Sequence, residues 1–300
     1  MVRTSAITQS IQIYFKVTKP NVWWLLVFVG AAGYFSGSNV PPNFLNLFFT
    51  IAALILGSAG AETIANYLER DIDAVMERTK KRPLPMGLIS PPENAFALGL
   101  AMVALSLLVS LLLLNIPAFL VMLLGILDYV IVYVILTKRR TAWNIVLGSP
   151  AGAAPVLVGY AAASGVIDST ALLLGSFVML WIPSHVWSLA LKYKEDYVRA
   201  GIPMLPTVTS EKTAVRCIAG TVILLVASSL LLPIISLRFF TAIYLAAATL
   251  LGTVLIVLSL LVLLKPSRSR AWRLFKFTSP YLAVLYGVII VESLLGLLNA

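Results

Sequence analysis

Apolar runs of about 20 residues recur from one end of this 300-residue chain to the other, and no other feature limits its fold so severely. At ~1.5 Å of helical rise per residue, such a run crosses the ~30 Å hydrocarbon core of a bilayer. Nine are present, near 21–38, 43–67, 94–115, 117–137, 143–163, 169–190, 212–233, 240–264 and 277–298. With 60% hydrophobic against 11% charged residues, too few polar side chains exist to cover a soluble globule of this length. Inside hydrocarbon every backbone N–H and C=O must be bonded within its own segment, so these runs predict helices. The expected fold is all-α: a polytopic membrane protein of nine transmembrane helices around a central cavity, with 1–300 forming a single transmembrane domain.

The first twenty residues carry Arg3, Lys16 and Lys19 but no small-residue cleavage site behind a short apolar stretch, which argues against a removable signal peptide. Ile7, Ile11 and Phe15, four apart, predict an amphipathic helix lying on the membrane surface over 1–20. A single cysteine, Cys217, excludes an internal disulfide framework and a cysteine metal cluster.

Assigning the 22 Lys and Arg to loops under nine spans leaves only Arg238 on one side. The positive-inside rule then puts the N-terminus and the basic loops in the cytoplasm of a multi-pass cell-membrane protein. Orientation needs bases alone, yet the loops after the second and sixth spans, at 68–92 and 191–211, also carry acids, among them Glu69, Asp71, Asp73, Glu77, Glu195 and Asp196, with Glu93 at the next helix start. Carboxylates concentrated at one membrane edge point to a site.

If the second span continues as a helix through residue 77, Asn66, Glu69 and Asp73 share one face, Glu77 extends the stripe and Asp71 points elsewhere. Carboxylate and amide oxygens on one face suit Mg²⁺, a hard cation that commonly bridges protein carboxylates to substrate phosphates. Just beyond, Arg78, Lys80, Lys81 and Arg82 can receive phosphate oxygens, so the segment holds both halves of a diphosphate site. Pro83 and Pro85 should end any helix, and Ser90 with Glu93 three residues later reads as a capping box opening the third span.

The end of the sixth span repeats the plan. Lys192 and Asp196 are four apart, Lys194 lies between them, and Asp196 precedes Leu205-Pro206 by about the distance from Asp73 to Leu84-Pro85. This spacing predicts an internal duplication in which the two acidic ends face one another across a cavity. His185, the one histidine, lies in this span between Pro183 and Trp187, where it can ligate a haem iron, move a proton or hydrogen-bond a neighbouring helix. Glu62, Asp128 and Glu292 are further intramembrane acids expected to face the bundle interior, with no partner named by the sequence. Intramembrane acids and repeats also occur in secondary transporters, but those place ion sites near the bilayer midplane rather than at one edge.

These residues resemble the UbiA superfamily of intramembrane prenyltransferases. The similarity runs through Thr18-Lys19-Pro20, Arg70 to Asp73, Met76 to Thr79, Arg82-Pro-Leu84, Lys138 to Thr141, Asn144-Ile-Val, Pro183 to His185, Asp196-Tyr197 and Ala200 to Pro206. The histidine segment and the Asp-Tyr to Pro-Met-Leu-Pro ending resemble the haem-modifying branch, whereas a quinone-precursor or glycerol-phosphate-lipid branch shares the first site only. The resemblance implies Mg²⁺-dependent ionisation of farnesyl diphosphate and attachment of the farnesyl chain to a haem B vinyl group, giving haem O. It also implies a haem-handling membrane partner such as haem A synthase. Carried over, Asn66, Glu69, Asp73 and Asp196 hold metal and diphosphate with Lys192 beside them, while Arg78, Arg82, Lys138, Lys194, His185 and Tyr197 bind substrate. Two positions depart from the family pattern: Ala65 stands where Asn is usual, and Glu69 where Asp is commoner.

Overall fold

A computed structural model describes residues 6–38, 41–239 and 241–298; Arg3 and the side chain of Ile7 lie outside them. The described residues form helices and no strands. In order these are α1 (Ala6–Val17), α2 (Pro20–Gly37), α3 (Phe44–Leu68), α4 (Arg70–Val75), α5 (Glu93–Leu113), α6 (Ile116–Leu127), α7 (Asn144–Leu147), α8 (Ser149–Ser164), α9 (Ser169–Lys192), α10 (Lys194–Arg199), α11 (Leu205–Val208), α12 (Glu211–Ile235), α13 (Ala242–Leu264) and α14 (Arg268–Leu298). Between α6 and α7 the helix widens into a π-helical segment, Asp128–Thr137.

Eight helical stretches among the described residues are long and apolar enough to cross a membrane. α2, the remaining one of the nine predicted spans, is an 18-residue helix that falls outside these eight and packs among α3, α8 and α14. Leu100, Leu105, Leu108 and Leu112 of α5 are all at least 47% exposed, which suits a lipid solvent. With no hydrophobic drive between helices in lipid, close packing of small residues does the work. α2 and α8 meet in this way: a Cβ on Gly33 would strike the Val156 carbonyl, and one on Gly159 the Gly30 carbonyl.

The structure corrects four expectations. The second span does not run on to residue 77: α3 stops at Leu68, Glu69 (φ −107°, ψ 8°) forms a hinge, and α4 ends at Val75. Glu77 therefore leaves the stripe and lies exposed against Lys80 and Arg199. The capping box does not form, because Pro91 and Pro92 lead into α5 without N–H groups to cap, and Glu93 accepts from the Tyr67 hydroxyl at 3.3 Å instead. The last helix begins at Arg268 rather than near 277, carrying its basic residues on its own first turns.

α1 leaves Ile11 and Phe15 exposed and packs Ile13, Tyr14 and Val17 toward Leu84 and Ile89. The chain then turns at Lys19, whose φ of 53° is a left-handed conformation that costs a non-glycine residue about 1–2 kcal/mol. Lys19 Nζ lies 2.9 Å from Glu62 Oε2, an ion pair that holds the turn against α3.

Ion pairs stitch the basic loops into one rim: Arg139 to Asp71, Arg199 to Glu77 and Asp196, and Arg268 to Glu195. Arg238 sits at the other end of the bundle, donating to the Ser36 carbonyl near the end of α2 at 2.7 Å. The division of charge read from the sequence thus corresponds to two physical ends.

Candidate active site

The first acidic turn is built by a helix that breaks without losing its path. Glu69 N–H donates to the Ala65 carbonyl and Asp73 N–H to the Glu69 carbonyl, both at 2.9 Å, so the hydrogen-bond ladder crosses the hinge. Asn66, Glu69 and Asp73 consequently stay on one side and are each only 4% exposed. Asp71 points outward, 62% exposed, in a two-pronged pair with Arg139. That hydrogen-bonded guanidinium holds the Asp71 carboxyl below its usual range.

Each buried carboxylate has a cation of its own. Arg82 Nη1 donates to both Asp73 oxygens at 2.9 and 2.7 Å. Lys138, reaching in from the end of the π-helical segment, pairs with Glu69. Burial works against the Lys138 ammonium, but the Glu69 carboxylate outweighs it and raises its pKa above the ordinary lysine value. Asn144 donates to the Thr141 carbonyl at 2.8 Å and to the Lys138 carbonyl at 3.3 Å, fixing the turn that carries Lys138.

The second acidic turn reaches the same place. Asp196, 6% exposed, accepts from the Arg78 backbone N–H at 3.1 Å, while the Thr79 hydroxyl donates to the Asp73 carbonyl at 3.0 Å. Asp73 and Asp196 therefore hold the same Met76–Arg82 turn from its two sides. Tyr197 is buried within electrostatic reach of Lys138 and Tyr133. Lys192 and Lys194 are half-buried at the junction of α9 and α10, and neither forms an ion pair among the described residues.

Beneath this rim lies a cavity of about 530 Å³. Arg78 reaches its wall, with its guanidinium 5.8 Å from the Tyr193 ring centroid. Glu62, Tyr129 and Tyr133 line the cavity, as do Trp181, His185 and Phe275. The remaining lining is mostly apolar: Leu25, Leu26, Leu54, Met122, Ile126 and Ile182 are among it.

Sequence reasoning missed the partners of the intramembrane acids. Glu62 accepts from Lys19 and, at 2.8 Å, from the Tyr129 hydroxyl. Asp128 accepts from the Ala151 N–H at 2.9 Å in the first turn of α8, where a helix favours negative charge. Glu292 accepts from the Thr241 hydroxyl at 2.7 Å. The available signal was Tyr129 and Tyr133, four apart and leading to Lys138.

No group of three or more His, Cys, Asp or Glu among the described residues is gathered as a ready-made metal cluster. The donor set still fits a hard cation. Asn66 donates through Nδ2 to the Val17 carbonyl, yet its Oδ1 is buried without a hydrogen-bond partner, whereas Glu69 Oε1 is the oxygen that pairs with Lys138. A buried amide oxygen left open beside paired carboxylates marks a place where a ligand would complete the bonding.

An all-helical bundle with an acid-and-base rim over an apolar chamber defines a multi-pass membrane protein equipped to handle a molecule with a charged head and a greasy body. The chain belongs to the UbiA prenyltransferase family, which matches residues 25–280. It is 38% identical over 286 residues to a protoheme IX farnesyltransferase of Thermoplasma volcanium, an alignment covering 94% of this chain and 97% of that relative. A digeranylgeranylglyceryl phosphate synthase structure superposes with a TM-score of 0.77 at 20% identity, covering 95% of this chain and 99% of that one. A UbiA homologue from Archaeoglobus fulgidus bound to GPP and Mg²⁺ superposes with a TM-score of 0.69 at 16% identity, covering 93% and 99%. At such identities the two structures speak for the fold alone, and the transporter alternative gives way to the family.

Proposed function

We propose that this protein transfers the farnesyl group of farnesyl diphosphate to the terminal carbon of a haem B vinyl group while one water adds its hydroxyl to the other vinyl carbon and gives its proton to the departing diphosphate, so that diphosphate is released and haem O is formed. The reading is carried by one cavity whose wall holds both Arg78, at the charged rim, and His185, an imidazole able to face a haem. Near-full-length similarity to a relative named protoheme IX farnesyltransferase supports this choice of acceptor.

Asn66, Glu69, Asp73 and Asp196 would hold Mg²⁺, which when bound neutralises the leaving diphosphate. Asp73 and Glu69 would exchange their cations for the metal, freeing Arg82 and Lys138 to turn toward phosphate oxygens beside Arg78. Lys192 and Lys194, without ion pairs among the described residues, add positive charge at the same mouth, and Tyr197 supports Lys138. As the allylic carbon–oxygen bond breaks, negative charge grows on the diphosphate, and these prepositioned cations stabilise it more than the ground state. The apolar wall takes up the isoprenoid chain and keeps bulk water from the prenyl cation. His185 would ligate the haem iron and so place the vinyl carbon that forms the new bond. The rim would face the cytoplasm of the cell membrane, where twenty-one of the 22 basic residues belong by the nine-span assignment. A haem-handling membrane protein such as haem A synthase would exchange haem with it.

The test is to supply membranes containing the protein with labelled farnesyl diphosphate, Mg²⁺ and either haem B or an aromatic acid, and to measure the mass of the products. Label in a farnesylated haem is the expected result. Label in the aromatic acid alone would assign the protein to a quinone-precursor branch.

A further inference from the structure

His185 is held on every side but one. Trp181 stacks on one face of its ring at 4.4 Å and 22°, and Phe275 on the other at 4.3 Å and 28°. Its Nδ1 lies 2.7 Å from the Thr278 hydroxyl. Thr278 is fully buried on α14, one turn beyond Phe275, and its backbone carbonyl also accepts from Trp181 Nε1 at 2.9 Å. A single residue therefore anchors the imidazole and one of the rings that clamp it.

The direction of the His185–Thr278 bond follows from counting protons. A threonine hydroxyl has one, and Thr278 donates it to the Phe275 carbonyl at 2.7 Å, three residues back on its own helix. Toward His185 the oxygen is left to accept, so the proton between them belongs to Nδ1. A neutral imidazole protonated at Nδ1 carries its lone pair on Nε2. Because both ring faces are covered, the imidazole is approachable only at its edge, and His185 lines the cavity.

We infer that Thr278 is a positioning residue that fixes His185 in the Nδ1–H tautomer and so presents the Nε2 lone pair edge-on to the iron of a bound haem. This rests on the proposal that haem is the acceptor, and it assigns the outer partner that metal-binding histidines ordinarily have. Thr278 touches neither haem nor the reacting carbons; it acts through His185.

The experiment compares purified full-length wild type with Thr278→Val, Thr278→Ser and His185→Ala. Each is titrated with haem B, and the iron–imidazole stretch of the ferrous complex is read by resonance Raman. Binding of farnesyl diphosphate with Mg²⁺ serves as the check on folding. In Thr278→Val the stretch should fall in wavenumber, because Nδ1–H loses its acceptor. Haem affinity should drop about 10- to 100-fold, as is typical when such an outer partner is removed. Thr278→Ser, which keeps the hydroxyl, should return both toward wild type, and His185→Ala should lose the band. Diphosphate binding should be unchanged throughout. A wild-type stretch and affinity in a folded Thr278→Val protein would overturn the role of Thr278 while leaving His185 as ligand. Wild type that binds haem without an iron–imidazole band would overturn the ligand role and the tautomer inference together. Wild type that binds farnesyl diphosphate but not haem would overturn the acceptor itself.

Discussion

The two acidic turns use one backbone device for two different loads. In each, a long helix halts at a single residue, Glu69 (φ −107°, ψ 8°) or Tyr193 (φ −110°, ψ 33°), and a six-residue helix follows. That short helix buries an aspartate, Asp73 in the first turn and Asp196 in the second. Around Asp73 the hinge and the preceding turn add Glu69 and Asn66, giving a cluster of buried oxygens. Around Asp196 the same places hold Tyr193 and Ala190, with Lys192 and Lys194 flanking the hinge, and the carboxylate is occupied with the Arg78 N–H and the Arg199 side chain. The difference teaches that a repeated fold element need not repeat its chemistry: in the proposed site the first turn would supply three of the four metal ligands, while the second, with Asp196 as the fourth, also steadies the Met76–Arg82 loop.

The comparison breaks most readily at Asp73. Asp73→Ala should lower turnover by at least about a hundredfold, the scale of losing one preorganised electrostatic contact, while the protein still inserts and folds. Near-normal turnover in the purified variant would remove the first turn from the chemistry. Next in size is the Glu69–Lys138 pair. Lys138→Met strands a buried carboxylate and should cost roughly 3–5 kcal/mol of stability in denaturant titrations. The double variant with Glu69→Gln should regain much of the stability but not the activity. Full recovery of turnover would make the pair purely structural.

Asp196 separates the two turns further. Asp196→Asn keeps an oxygen for the Arg78 N–H and should stay within about tenfold of wild-type turnover, the value of one hydrogen bond or so. Asp73→Asn should not. Equal losses would mean that both turns are metal sites of the same rank. The smallest effect belongs to the exposed Asp71–Arg139 pair, where Asp71→Asn should change stability by less than about 1 kcal/mol and leave turnover alone. Because the Asp71 pKa is depressed, its contribution is present above the ordinary aspartate value of ~3.9 and fades only as pH falls below it. Lys138 behaves in the opposite sense. Its raised pKa keeps the Glu69 pair intact below the ordinary lysine value of ~10.4, so this contribution should stay flat across roughly pH 6–9. A pH titration of wild-type stability against Asp71→Asn and Lys138→Met would check both signs.

Much of this was legible before any coordinates. The helices begin and end near the predicted limits because hydrocarbon thickness sets run length, and charge marks the run ends. Asn66, Glu69 and Asp73 could be placed on one face because helical spacing survives the hinge. Glu77 could not be removed from that stripe by spacing alone, since nothing in the local pattern announces a break at a glutamate. The departure at Ala65 is consistent with its surroundings: the residue is fully buried, so the site has no polar atom there.

Lipid as solvent was written in the chain, because long apolar runs admit few other fates, and so was the gathering of acids and bases at one end. Which cation answers which carboxylate was decided in space. Lys19 to Glu62 and Lys138 to Glu69 join residues 43 and 69 positions apart, and a local period cannot reach across such gaps. The clamp on His185 is of the same kind. It exists because α14 packs against α9, and the proton on its ring belongs to whichever nitrogen a distant threonine leaves as donor.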